Sequence, residues 1–291
     1  MRNYLSICCI FKDEAPYLEE WLRFYDLVGV DHFYLYDNGS TDQFVPVLAP
    51  WVNAGRATVM GISGPAPQKK AYADCIQRFA SDSRWIAFLD LDEFLFSPVQ
   101  ADLREFLPAY DSQPGVVANW VMFGASGHQT KPAGLTTLNY TLRCETSLRV
   151  IDKQMLRRLD LNPADPRSYF PICSHVKSIV DPRKVVSVQS PHHFKFVEGQ
   201  VPITASGQPL VQAPFTFDVE IDRLRVNHYF SRSWEELARK LARGRADIVG
   251  KYDPAEMIER TRMYEVVRDT TIVPLALKVQ AAIGSGVVSR G

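Results

Sequence analysis

Three short acidic segments each follow an apolar run: Lys12-Asp13-Glu14 after Leu5 to Ile10, Asp37-Asn38-Gly39-Ser40-Thr41-Asp42 after His32 to Tyr36, and Asp90-Leu91-Asp92-Glu93 after Trp85 to Leu89. Carboxylates and small polar side chains in such turns can hydrogen-bond a base and ribose. They are also hard oxygen ligands for the Mg2+ or Mn2+ that neutralises a diphosphate, so a nucleotide sugar is a ligand such turns could hold together. Asp90-Leu91-Asp92 is the sharpest of the three. Alternate residues at an extended strand end project to one side, so one carboxylate can face a ribose or a metal-bound water while the other ligates the ion. Exposed acidic turns are ordinary. Here, however, the acids end a run apolar enough to be a central strand, where a carboxylate without a cation or a donor is costly.

The turns can share one site only if the runs before them are parallel strands of one sheet. After Leu5 to Ile10, apolar residues recur at 18, 21, 22, 25 and 28 and stop at Gly29, which is helical spacing with a glycine terminator. The aromatic run His32 to Tyr36 is a second strand closed by turn formers. Ala57 to Gly61 is a third, Lys69 to Ala80 has helical spacing, and Trp85 to Leu89 is a fourth strand. The βαβ pattern predicts an α/β fold with an open, mostly parallel, Rossmann-like sheet. Ligands of such sheets gather beyond the carboxyl ends of the strands, where all three acidic turns fall. Gly115 to Phe123 reads as a further strand, and the turn-rich stretch Gly124 to Arg183 is expected to cover one end of the sheet. Ser233-Trp234-Glu235-Glu236 has the form of a capping box opening a helix to about Arg243, and Asp253-Pro254 opens another. The apolar tail from Thr270, broken by Pro274, is expected to pack on the body, with peripheral membrane association as the other use of such a segment.

Composition narrows the function classes. Of 291 residues 46% are hydrophobic and 23% charged, which describes a packed globule, and Lys plus Arg equals Asp plus Glu at 33 each. No net field recruits nucleic acid, so none is expected as a partner. The N-terminal apolar run is too short and wrongly flanked for a signal peptide or membrane span. Five cysteines, none in C-x-x-C spacing, read as reduced structural thiols, and a cytoplasmic location is expected. Residues 5 to 16 contain no glycine, which argues against the Gly-rich phosphate loop of a nucleotidyltransferase.

Several segments, in this order, resemble glycosyltransferase family 92 and related bacterial family-2-like enzymes. They are Cys9-Ile10-Phe11-Lys12-Asp13-Glu14 with Tyr17-Leu18-Glu19-Glu20-Trp21, then Tyr36 to Asp42, Phe88-Leu89-Asp90-Leu91-Asp92-Glu93-Phe94, and Phe123-Gly124-Ala125-Ser126-Gly127-His128. Lys177-Ser178-Ile179-Val180, His193-Phe194, Asn227-His228-Tyr229 and Lys240-Leu241-Ala242-Arg243-Gly244 continue the match, which runs from about residue 5 to 245. The resemblance implies a GT-A fold and metal-dependent inverting transfer of a sugar, often galactose from UDP-galactose, to a glycan or glycoconjugate acceptor. It implies that Phe11, Asp13 and Asp37 line the base and ribose pocket, that Gln68 and Asp74 sit by the donor, and that Asp90 and Asp92 form the metal motif. His228 resembles the late histidine that completes coordination of Mn2+ or Mg2+. Lys177, Lys240, Arg243 and Arg245 are expected near the diphosphate, where cations stabilise the leaving group. Inverting transfer also needs a general base. His128, after its flexible loop, is the candidate, with Glu93 supporting the metal motif and Trp120 either a core residue or a platform for an acceptor sugar. The expected organisation is a GT-A glycosyltransferase domain over 1–230 and a C-terminal helical extension over 231–291 packed on it. A non-catalytic nucleotide-sugar or carbohydrate-binding module on the same fold is the alternative.

Overall fold

The structure is a computed structural model that describes residues 2–151, 156, 160–165, 168–244, 247 and 253–285. In chain order come β1 (Asn3–Phe11), α1 (Ala15–Leu27), β2 (His32–Asp37), α2 (Phe44–Asn53), β3 (Ala57–Gly61), α3 (Pro67–Phe79), β4 (Ser83–Phe88), β5 (Glu93–Phe96), α4 (Leu103–Phe106) and β6 (Gly115–Met122). There follow α5 (Thr136–Asn139), β7 (Leu142–Arg143), β8 (Arg149–Ile151), β9 (Tyr169–Pro171), β10 (Val176–Val180), β11 (Val185–Ser190), β12 (His193–Phe196), β13 (Ile203–Thr204) and β14 (Arg225–His228). The chain then forms α6 (Trp234–Arg243), α7 (Pro254–Met263), β15 (Val267–Arg268) and α8 (Val273–Ser285).

The main sheet runs β3-β2-β1-β4-β10-β6-β14-β5, with β13 on β6. Strands β1 to β4 are mutually parallel and β14 is parallel to β6, whereas β10 is antiparallel to both β4 and β6, and β5 to β14. This is the α/β fold expected: a mixed, mostly parallel sheet flanked by helices. Period-two alternation sorts β1 cleanly. Leu5, Ile7, Cys9 and Phe11 face a core built with Trp21, Phe24, Phe33 and Trp51, while Cys8 and Ile10 face Tyr34, Tyr72, Phe88 and Phe194. Because both faces are covered, these strands read as continuous apolar runs. Helix α1 stops where the sequence suggested. Gly29 takes a φ of 95°, and a Cβ there would lie 2.1 Å from Asp102 Oδ1, so the turn demands glycine twice over.

Two expectations need correction. The stretch 124–183 does more than cover an end of the sheet, since its last strand, β10, is inserted at the sheet centre between β4 and β6. Immediately after the acidic turn, Glu93–Phe96 forms an edge strand on β14, so the turn is a reversal between two strands. The capping box is present: Ser233 Oγ accepts from Glu236 N at 3.3 Å, and the Glu236 carboxylate accepts from Ser233 N at 3.1 Å. Asp253 caps α7 by accepting from Ala255 N at 3.0 Å. Helix α8 buries Ala276 and Val279 and packs on α1, so its apolar side is turned to the body. No helix among the described residues is long and apolar enough to cross a membrane. All five cysteines are buried and unpaired.

Candidate active site

The acidic turn after β4 is held from three sides. From α1, the Trp21 indole donates to the carbonyls of Asp90 at 3.2 Å and Glu93 at 3.1 Å, and the Tyr25 hydroxyl donates to Glu93 O at 2.9 Å. From α3 and β10, Gln68 Nε2 donates to Asp90 Oδ1 at 2.6 Å and Lys177 Nζ to Asp90 Oδ2 at 2.7 Å. Lys177 also lies 3.2 Å from Glu93 Oε2, and that oxygen accepts from Asp90 N at 2.9 Å. From β14 and α6, His228 Nε2 sits 3.5 Å from Asp92 Oδ2, and the Lys240 ammonium is bonded to the same oxygen. Lys240 is steadied by the carbonyl of Phe230 at 3.2 Å and by its ring, 3.8 Å away.

These charges are removed from water: Lys177 and Glu93 are 1% and 0% exposed. Burial works against the Asp92 carboxylate, but Lys240, His228 and Arg232 more than offset it and hold its pKa well below the usual range. Burial pushes Glu93 up; Lys177 pulls it back, yet the negative charges of Asp90 and Asp92 keep it well above an ordinary glutamate. Burial would lower Lys177, but Asp90 and Glu93 raise it, so its ammonium stays charged. Burial lowers His228 more than Asp92 raises it, leaving a neutral imidazole, the form that ligates metals.

A second ring of groups ties the other acidic turns to this centre. Arg232, in a left-handed backbone conformation with φ 50°, pairs with Glu14 at 3.0 Å and stacks 3.4 Å over the Tyr17 ring. Arg243 donates to Lys12 O at 2.5 Å and to Glu14 at 2.8 Å. Asp13 Oδ1 accepts from Thr41 N at 2.7 Å, Ala15 N donates to Asp42 Oδ2 at 2.7 Å, and Asp37 Oδ1 accepts from Ser40 N at 2.8 Å. The first two acidic turns are thereby stitched to each other. Asp74 accepts from the Tyr36 hydroxyl at 2.7 Å, and the two line a cavity of about 480 Å3 with Gly61, Ile62, Lys70 and Arg78.

Of the residues singled out from the sequence, Gln68, Asp90, Asp92, Lys177, His228 and Lys240 therefore converge, and Glu93 joins them. Arg243 is one residue removed, through Glu14. Asp13, Asp37 and Asp74 lie at the neighbouring strand ends and cavity. Phe11 is not on a pocket wall: its ring is 3% exposed and packs edge-on against Phe44. His128 is not brought to the cluster either. Its Nε2 lies 3.3 Å from the carbonyl of Asn139, and its ring packs edge-on against Tyr140. Arg245 lies outside the described residues. Sequence reasoning missed Arg232 and the His175 and His192 rings that pack on Trp120; nothing in local spacing marks them.

The three-residue metal set expected from Asp90, Asp92 and His228 is reduced to a pair. No three His, Cys, Asp or Glu side chains converge as a metal cluster among the described residues, because Asp90 is turned to Gln68 and Lys177. The Asp92 and His228 pair still suits a divalent ion: a carboxylate and a neutral imidazole nitrogen face each other at ligand spacing, and the Lys240 ammonium stands in the cation's place. Four buried polar atoms around this point, Glu93 Oε1, His228 Nδ1, Arg232 Nε and Trp120 Nε1, have no hydrogen-bond partner among the described residues. Orphaned groups are rare in packed interiors, so Glu93 Oε1 and His228 Nδ1, on residues of the cluster, are atoms that a polar ligand could satisfy.

Fold and cluster define an α/β protein with a group of paired charged side chains at the carboxyl edge of its central strands. The chain belongs to glycosyltransferase family 92, whose sequence profile matches residues 3–278. It is 25% identical over 259 residues to a glycosyltransferase family 92 protein of Oryza sativa subsp. japonica, covering 87% of this chain and 38% of that one. It is 31% identical over 106 residues to galactan beta-1,4-galactosyltransferase GALS1 of Arabidopsis thaliana, covering 33% of this chain and 21% of that one. The chain thus spans about two fifths of the length of the first of these relatives. Among solved structures it is similar in part to glucosyl-3-phosphoglycerate synthase from Mycobacterium tuberculosis in complex with Mn2+, UDP and glucosyl-3-phosphoglycerate, at 15% identity and a TM-score of 0.33, covering 63% of this chain and 58% of that one.

Proposed function

We propose that this chain is the catalytic domain of a divalent-cation-dependent inverting glycosyltransferase that moves a sugar from a nucleoside diphosphate sugar to a glycan or glycoconjugate. The observation that carries the reading is Asp92 facing His228 and Lys240 at the end of β4. Family membership supports transfer, and the galactan galactosyltransferase relatives support galactose as the sugar.

In this reading Asp92 and His228 hold Mn2+ or Mg2+, which, when bound, neutralises the diphosphate. The remaining work belongs to the chain. Lys177 holds one oxygen of Asp90 and Gln68 fixes the other, which aims the carboxylate to meet the ribose. Lys240 and Arg243, carried on the last turn of α6, face the departing diphosphate and supply positive charge as its bond breaks. Asp13 and Asp37 present the base end of the donor from turns already locked by Thr41 and Ser40, so little ordering is left for binding to accomplish. We assign the glycosyltransferase domain to 1–230 and treat 231–291 as an extension that packs on it and delivers the α6 cations.

A thermal-shift screen of nucleotide sugars with and without Mn2+ tests the reading, since a ligand that binds the folded state raises the melting temperature by mass action. A UDP-hexose that shifts the protein only with Mn2+ is the expected result. If no nucleoside diphosphate sugar produces a shift under either condition, the reading is wrong.

A further inference from the structure

We infer that His192 is the general base that accepts the proton of the attacking hydroxyl; this rests on the glycosyl-transfer reading above. Most carboxylates of the cluster are already engaged, and Glu93, whose Oε1 has no partner among the described residues, is fully buried beside Lys177 and out of reach of an acceptor hydroxyl. Asp90 is held by Lys177 and Gln68, Asp92 by Lys240, and Glu14 by Arg232 and Arg243. Glu236 accepts from Tyr17, Tyr140 and Ser233. His128 is spent on Asn139 and Tyr140.

His192 differs. It sits in the turn between β11 and β12, and its Nδ1 lies 3.0 Å from the carbonyl of Val176, the residue before Lys177. A carbonyl only accepts, so Nδ1 carries the proton and Nε2 presents a lone pair. Among the described residues Nε2 makes no hydrogen bond. Its backbone is pinned on both sides, His192 N to Ser190 Oγ at 3.2 Å and Ser178 Oγ to His192 O at 3.2 Å. The ring packs at 84° on Trp120, 4.8 Å between centroids, and the same indole packs on His228 at 4.4 Å. Through Trp120, His192 and His228 are thus within about 9 Å of each other.

The two centroid distances set an upper limit on that separation, and the limit admits an in-line displacement. About 2 Å from an ion to a phosphate oxygen, the phosphoryl group, about 3 Å of attack distance and about 3 Å of proton transfer bring a base to roughly 8–10 Å from the ion. Burial, then the charges of Lys177 and His175, hold His192 well below the ordinary imidazole range, so the free ring is neutral and its Nε2 lone pair is not already protonated. In the step, the acceptor O–H proton passes to Nε2 and the oxygen's electron pair forms the bond to the anomeric carbon. The bond from that carbon to the diphosphate breaks, its electron pair leaves with the diphosphate, and the configuration inverts. His192 later returns the proton to solvent.

The test uses the full chain as wild type, His192→Ala and His192→Gln, with UDP and Mn2+ as the binding probe. UDP release from UDP-galactose is the turnover probe, with water or a β-1,4-galacto-oligosaccharide as the attacking hydroxyl. Both variants are expected to keep the UDP and Mn2+ thermal shift while turnover falls by about 100-fold or more, and added imidazole is expected to restore part of it in His192→Ala. Turnover within about fivefold of wild type, well short of a general-base loss, overturns the role. So does a loss of turnover accompanied by loss of the UDP shift, or a deficit in His192→Ala that imidazole does not relieve. Wild-type protein that neither binds UDP nor consumes UDP-galactose overturns the underlying reading, and the role with it; active wild type with active variants overturns the role alone.

Discussion

Replacing Lys177 with methionine separates the electrostatic work of this side chain from its bulk. The ammonium is 1% exposed and lies 2.7 Å from Asp90 Oδ2 and 3.2 Å from Glu93 Oε2. Methionine fills the space of the stem and removes the charge. Asp90, with 30% of its side chain exposed, can turn to water, whereas Glu93, at 0%, cannot. The cost therefore falls on Glu93, and removing one partner of a buried pair costs about 3–5 kcal/mol. For a chain of this size that corresponds to a fall in melting temperature of roughly 6–20 °C. Glu93 already has a raised pKa, and a group whose folded value is raised contributes stability that is present below its unfolded value, about 4.3, and is lost as pH rises. Without Lys177 to oppose that rise, the deficit of Lys177→Met is expected to be smallest near pH 5 and to widen toward pH 8. The double variant Lys177→Met with Glu93→Gln is expected to recover about 1–3 kcal/mol by discharging the orphaned carboxylate. Differential scanning calorimetry of the four proteins across pH measures all of this. A single variant that loses less than about 1 kcal/mol, or a double variant no more stable than the single, would refute the account.

Asp92→Asn keeps the shape of the side chain and removes the charge facing His228 and Lys240. Under the proposed reading it abolishes the Mn2+-dependent part of the UDP thermal shift and lowers turnover by about 100-fold or more while the circular dichroism spectrum is kept. A Mn2+-dependent shift equal to wild type counts against the site. Elsewhere, Asp269 joins Arg225 at 2.8 Å and Arg143 at 2.7 Å, with Arg225 only 3% exposed. Asp269→Ala strands a buried guanidinium and is expected to cost about 3–5 kcal/mol in urea unfolding. Burial raises the Asp269 carboxyl, but Arg225 and Thr271 outweigh it and hold the carboxyl below the usual range. Its stability contribution is thus present above about pH 4, the ordinary aspartate value, and is lost as pH falls toward the folded value. Acid titration should show that loss in wild type and not in the variant.

The first half of the fold was legible because its strands are buried on both faces and read as apolar runs, and because α1 and α3 carry clean helical spacing. Helix α2 was not, since Pro50 sits inside Phe44–Asn53 and propensity there argues for a break. The central position of β10 was hidden for a different reason. Five residues, Val176 to Val180, cannot announce which neighbours they pair with; the pairing is settled by β4 and β6 leaving a gap of the right register. The same insertion explains why Lys177 could be named from the sequence but not aimed. The capped helices α6 and α7 were readable to the residue because caps are local chemistry, whereas Arg232 and His192 acquire their places only through packing on Tyr17 and Trp120.

Under the proposed reading, the charge balance of the site gives a reason for a cation to accompany the donor. Lys177 pairs with Asp90 and Glu93, Lys240 with Asp92, and Arg232 and Arg243 with Glu14, so the acids of the cluster already have cationic partners before any ligand enters. A diphosphate brings further negative charge into a place where Asp92 is already ionised, and repulsion between like charges is strong where water is excluded. Two remedies exist within this geometry. Lys240 can leave Asp92 for the phosphates, which strands the carboxylate, or a divalent ion can take the place of Lys240 beside Asp92 and His228 while the freed ammonium turns to the leaving group. Under the proposed reading the second would leave every buried charge paired, and Lys240, on the last turn of α6 with 21% of its side chain exposed, would be the group that turns.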